Sequence, residues 1–142
     1  MPLKSGMVMN RAKKILIVED EQDILDYFEA IFQDSGYDTV LAKDGIEAFE
    51  LAKSEKPDLI TLDITMPRQS GLKMYQQYKK HPELNHIPVI IITAVEEFLD
   101  IFLDELKDLV PPEGIFYKPI DPKEMMNLIV RILSPQKDNF IK

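Results

Sequence analysis

The chain contains no cysteine, which excludes a disulfide framework and a thiolate-held metal. Histidine is almost as scarce: His81 and His86 are the only two, too few for a histidine metal centre. No apolar run approaches the roughly 18 residues of a membrane span. Met1 to Lys14 lacks the apolar core of a signal peptide. Low-complexity stretches and short internal repeats are missing too. What remains is a chain of 142 residues, room for one domain, with 45% hydrophobic and 30% charged residues. The expectation is a cytoplasmic globular protein that does not enter a membrane.

Positive charge is also short. Of the 17 basic residues, Lys4, Arg11, Lys13 and Lys14 sit in the first fourteen positions, which hold no acid. The other 13 face all 25 acidic residues, within a net charge of −8. Such a body repels nucleic acid phosphates, so no direct nucleic acid partner is expected. The basic leader reads as a flexible tail over residues 1–12, and the polar end as a second one over 135–142. The domain between them covers 13–134.

Within that domain, short apolar runs alternate with helical periodicity. Ile15-Leu16-Ile17-Val18 is wholly apolar and mostly β-branched, as in a strand buried on both faces of a parallel sheet. Ile24, Leu25, Phe28, Ile31 and Phe32 follow at helical spacing, with Asp23 as the cap and Gly36 as the stop. Asp38 to Ala42 is a second strand, Asp44-Gly45 a turn, and Ile46, Phe49 and Ala52 a second helix ending before Pro57. Leu59 to Leu62 is a third strand. A helix through Leu72, Tyr75 and Tyr78 ends at Pro82. Val89 to Ile92 is a fourth strand, and a fourth helix spans about Glu96 to Leu109. Gly114 to Tyr117 is a fifth strand. Asp121-Pro122 caps a last helix through Met125, Leu128, Ile129 and Ile132.

Five βα units of this size imply an α/β fold, a doubly wound parallel sheet with helices on both faces. The flavodoxin-like (βα)5 order 2-1-3-4-5 is the expected topology. In such a sheet the carboxyl ends of all strands share one edge. Strand one delivers Glu19 and Asp20 there, strand three Asp63, strand four Thr93 and strand five Lys118. Each has an ordinary reading alone. Asp63 could cap a turn, Glu19 and Asp20 a helix; Thr93 is a common strand residue, and Lys118 could be a solvated lysine. Their coincidence at four strand ends is what the ordinary readings do not predict.

Three adjacent carboxylates repel and hold protons tightly unless a cation relieves them. An all-oxygen set suits Mg²⁺ better than zinc. Asp63 beside that metal is placed as a nucleophile, since carboxylates form acyl phosphates. Lys118 and the metal would neutralise charge on a transferring phosphoryl group, and Thr93 could donate to one of its oxygens.

Val18-Glu19-Asp20, Asp58-Leu59 through Pro67, Gly71, Thr93-Ala94 and Lys118-Pro119 occur in the order and spacing of a known family. From about Lys13 to Leu133 the chain resembles a receiver domain of the two-component response regulators, the family that includes the small bacterial chemotaxis regulator. The resemblance implies that Asp63 accepts a phosphoryl group from the phosphohistidine of a histidine kinase or phosphotransfer protein. It implies Mg²⁺ on Asp20, Asp63 and the backbone carbonyl of Thr65, with Glu19 acting through a water. It further implies that Thr93 is the switch hydroxyl, that Lys118 pairs with the phosphoryl group, and that the Lys118-Pro119 bond is cis. The chain would act only on itself, with no external substrate turned over. It would signal to an unknown downstream protein through its fourth helix, fifth strand and last helix.

Three departures concern that output surface. Ile115 stands where the family usually has an aromatic residue, Ser70 replaces the common Asp before Gly71, and the stretch from Thr93 to Lys118 is longer than typical. Phe98, Leu99, Ile101, Phe102, Leu103, Leu106 and Leu109 also spread beyond one face of the fourth helix. Either the lengthened loop covers them or another molecule does, a second copy making a homodimer. Two other functions compete. An aspartyl-nucleophile phosphatase would need a general acid where Thr65 stands. A degenerate receiver would bind partners without phosphorylation, against the intact set of acids, Thr93 and Lys118. A fragment of a longer regulator or hybrid kinase is a further alternative.

Overall fold

The computed structural model describes residues 12–64, 70–94, 104 and 107–134. Ala12 apart, both predicted tails lie outside the described residues, as do Thr65 to Gln69 and most of the predicted fourth helix. The strands are β1 (Lys14–Val18), β2 (Asp38–Ala42), β3 (Leu59–Asp63), β4 (Val89–Thr93) and β5 (Gly114–Tyr117). The helices are α1 (Gln22–Asp34), α2 (Gly45–Glu55), α3 (Ser70–Lys80) and α4 (Pro122–Leu133). All four strand pairings are parallel, in the order β2-β1-β3-β4-β5. This is the predicted topology.

Alternation along the strands divides the core in two. Leu16, Val18, Ile60, Leu62, Val89 and Ile91 face α2 and α3 and pack with Ala48, Ala52, Met74, Tyr75 and Tyr78. Ile15, Ile17, Leu59, Ile90 and Ile92 face α1 and α4 and pack with Leu25, Phe28, Phe32, Met125 and Ile129. The three inner strands are buried on both faces, which is why their sequences are apolar without alternation. At the edge, Gly114 lacks a Cβ that would stand 2.5 Å from Leu128 Cδ2, so α4 lies close against β5.

The ends of α1 differ from and agree with expectation in turn. Asp23 is not its cap: it lies in the first turn, and Glu21 holds the cap position without a side-chain cap bond. The Glu21 N–H instead donates to the Glu19 carboxylate at 3.1 Å, because the chain turns sharply enough after β1 to bring that side chain back. At the other end Gly36, at φ +94°, closes the helix with Gly36 N–H to Gln33 C=O and Tyr37 N–H to Phe32 C=O. That pair of bonds is a Schellman motif, which needs the left-handed backbone glycine supplies.

The predicted fourth helix does not reach Leu109. Residues 107–109 form a turn, and Leu109 packs on the molecule's own core, on the α2–α3 side of the sheet. Two hydrogen bonds fix the chain as it approaches β5. The Tyr75 hydroxyl donates to Val110 C=O at 2.6 Å, and the Val89 N–H donates to the Glu113 carboxylate at 2.8 Å.

In mid-sheet, the Thr61 hydroxyl is fully buried with no hydrogen-bond partner. A buried unsatisfied hydroxyl costs about 1–3 kcal/mol, whereas an apolar group of the same shape does not. Thr61→Val is therefore expected to stabilise the protein by about 1–2 kcal/mol in urea unfolding. An unchanged or lower midpoint at equal slope would count against this account of the hydroxyl.

Candidate functional site

Strand geometry builds the site. Beyond β1, the Glu19 N–H donates to Ala42 C=O at 3.0 Å, extending the ladder by one residue. Glu19 therefore keeps the alternation of Ile15 and Ile17, and Asp63 keeps that of Leu59 and Thr61. Both carboxylates emerge at the carboxyl edge on the α1–α4 side. Lys118, two residues past Phe116, follows the same alternation from β5. Its N–H donates to Thr93 C=O at 2.9 Å, tying the lysine to the end of β4. The Lys118-Pro119 peptide is cis, as the resemblance implied.

The lysine lies between two acids. Its Nζ donates to Asp63 Oδ2 at 3.0 Å and to Glu19 Oε1 at 3.1 Å, with Glu21 Oε1 at 4.0 Å. Asp63 is 3% exposed and Glu19 1%. Carboxylate oxygens of Glu19, Asp20 and Asp63 lie within 4.8 Å of one another, close enough to share one metal ion. Burial, reinforced by the Asp63 charge, pushes the Glu19 carboxyl up to about 7, against the pull of the Glu21 N–H and Lys118. Burial draws the Lys118 ammonium down, but Asp63 and Glu19 outweigh it and the net shift is upward. The site is thus short of positive charge.

Four of the predicted residues, Glu19, Asp20, Asp63 and Lys118, come together. Thr93 is wholly buried at the end of the neighbouring strand, where alternation sets it on the α2–α3 side with Ile91 and Ile115. Thr65 lies outside the described residues. Sequence reasoning missed Glu21, and it missed that both Glu19 oxygens have protein partners. The run Glu19-Asp20-Glu21 was the available signal, but only the turn into α1 shows which acid faces the lysine.

Comparison with known proteins settles the family. The model of the response regulator receiver domain matches residues 15–130. The chain belongs to this family. This receiver domain is 43% identical over 82 residues to the polar-differentiation response regulator DivK of Brucella anthropi, covering 58% of the chain and 67% of the relative. The Brucella ovis DivK matches to the same extent. A solved signal receiver domain of a histidine kinase from Syntrophus aciditrophicus superposes with a TM-score of 0.77 at 30% identity, over 89% of this chain and 93% of that one. A CheY-like receiver from Methanospirillum hungatei shares the fold, with a TM-score of 0.76 at 23% identity over 90% and 98% of the two chains. The kinship makes the chain a phosphorelay signalling module of the kind switched by its own phosphorylation, not an enzyme with an external substrate. Among the described residues no helix is long and apolar enough to cross a membrane.

Proposed function

We propose that Asp63 accepts the phosphoryl group, drawn from the phosphohistidine of a histidine kinase or phosphotransfer protein. An Asp63 oxygen forms the new bond to phosphorus while the nitrogen–phosphorus bond breaks, and its electron pair returns to the donor imidazole. The product is a mixed anhydride on Asp63. The observation that carries this reading is the Lys118 ammonium 3.0 Å from Asp63 Oδ2, at the open end of a central strand. There it meets the negative charge of the incoming group.

The acids fit a divalent cation. Their donors are all oxygen, their spacing suits one ion, and they outnumber the single lysine. Asp20 and Asp63 would ligate Mg²⁺ with the Thr65 carbonyl, and Glu19 would act through a water. Bound there, the ion would offset charge on the phosphoryl oxygens. Thr93 would supply the hydroxyl that answers phosphorylation, and Ile115, on its side of the sheet, would repack in place of an aromatic ring. A downstream protein would read the change at β5, α4 and the predicted fourth helix.

Phosphoramidate with Mg²⁺, followed by intact mass, tests the reading. One added phosphoryl group per chain is expected, and chelating the metal suppresses it. Absence of any adduct across small donors would leave a receiver that binds partners without phosphorylation.

A further inference from the structure

Glu19 does more at this site than add charge. Its backbone is held by the bond to Ala42, and its Oε2 accepts from the Glu21 N–H at 3.1 Å. The remaining oxygen, Oε1, accepts from Lys118 Nζ at 3.1 Å, across 99 positions of sequence. The carboxylate is thus oriented by the main chain at one end and offered to the lysine at the other. Length matters. An aspartate here is one methylene shorter, about 1.5 Å of chain. From the same backbone it falls outside hydrogen-bond reach of an ammonium in this position.

We infer that Glu19 is a positioning residue for Lys118, keeping the ammonium seated at the site whether or not Asp63 bears a charge. The inference rests on the reading of Asp63 as phosphoacceptor. Conversion of Asp63 to the anhydride removes its carboxylate charge, and with it much of the attraction behind the 3.0 Å bond. Glu19 takes no part in that bond change. An ammonium has three N–H donors. Glu19 holds one in every state, leaving the others for Asp63 and the phosphoryl oxygens. The lysine then meets the arriving group without a search through its rotamers, which are otherwise costly to fix.

The test is made on the full chain without metal or phosphodonor, so its result is separate from whether Asp63 is phosphorylated. The Lys118 ammonium is observed directly by ¹⁵N–¹H correlation and assigned by its disappearance in Lys118→Met. A hydrogen-bonded ammonium exchanges its protons with water slowly enough to be seen. In the wild type its exchange is expected to be about tenfold or more slower than that of the exposed Lys53. The signal persists in Asp63→Asn, where Glu19 alone holds the ammonium, and is lost when that variant also carries Glu19→Asp, which keeps charge but not length, or Glu19→Gln, which keeps length but not charge. Amide spectra verify that all variants fold. Loss of the signal in Asp63→Asn, its persistence when Glu19→Asp is added to Asp63→Asn, or wild-type exchange as fast as that of Lys53 would overturn the inference.

Discussion

Asp63→Asn takes up no phosphoryl group from phosphoramidate and Mg²⁺ under conditions that load the wild type, and its stability stays within about 1 kcal/mol. The first half follows from electronics. The amide oxygen has the carboxylate's position but neither its charge nor its nucleophilicity, so the new bond to phosphorus does not form. The second half follows from packing. Asparagine has nearly the shape of aspartate, and Asp63 is almost fully buried among groups that fix that shape. Replacing it removes an anion from beside Glu19, whose carboxyl burial and Asp63 together push up to about 7. The gain offsets the lost pairing with Lys118, which keeps Glu19 as a partner. Removing one side of a buried pair is severe when it strands the other charge, and here it does not. Intact mass reads the first effect and urea unfolding the second. A phosphoryl adduct on the folded Asn variant would move the acceptor to another residue.

The sheet was legible because three of its strands are buried on both faces. Ile15 to Val18 and Val89 to Ile92 are apolar throughout, and Leu59 to Leu62 is interrupted only by Thr61. The site was legible because strand ends in a parallel sheet share an edge, so residues distant in sequence could be placed together before any distance was known. Two things were not legible. The first is the start of α1: Asp23 has the chemistry of a cap but lies in the first turn, and the Glu19 side chain, from outside the helix, accepts from the N–H of Glu21, the residue at the cap position. Local propensity does not register a partner that folds back from the preceding strand. The second is the approach to β5. Apolar residues run to Leu109 in the sequence, yet residues 107–109 turn and Leu109 packs on the core, with Tyr75 and Glu113 fixing the chain that follows. Those bonds join positions 35 and 24 residues apart, beyond the reach of any periodicity.

Lys118→Met is expected to destabilise the metal-free protein by about 2–4 kcal/mol at neutral pH, the largest loss predicted for a single change at the site. Methionine keeps most of the length and apolar stem of lysine, so the variant isolates the charge. What it leaves behind are Glu19 and Asp63, 1% and 3% exposed, facing each other without a cation. Breaking a buried pair from one side costs about 3–5 kcal/mol because the abandoned charge is neither hydrated nor paired. Here the lower part of that range applies, since Glu19 already sits near 7 and can take up a proton. The lysine itself is 17% exposed, which further softens the loss. Mg²⁺ is expected to restore more stability to Lys118→Met than to the wild type, because in the variant the ion takes over the carboxylates that the ammonium neutralises in the wild type. Urea unfolding of both proteins with and without Mg²⁺ measures the difference. Equal stabilisation of the two by the metal would mean that the ion and the lysine do not serve the same carboxylates, and Asp63 would then lose the electrostatic setting on which its proposed chemistry depends.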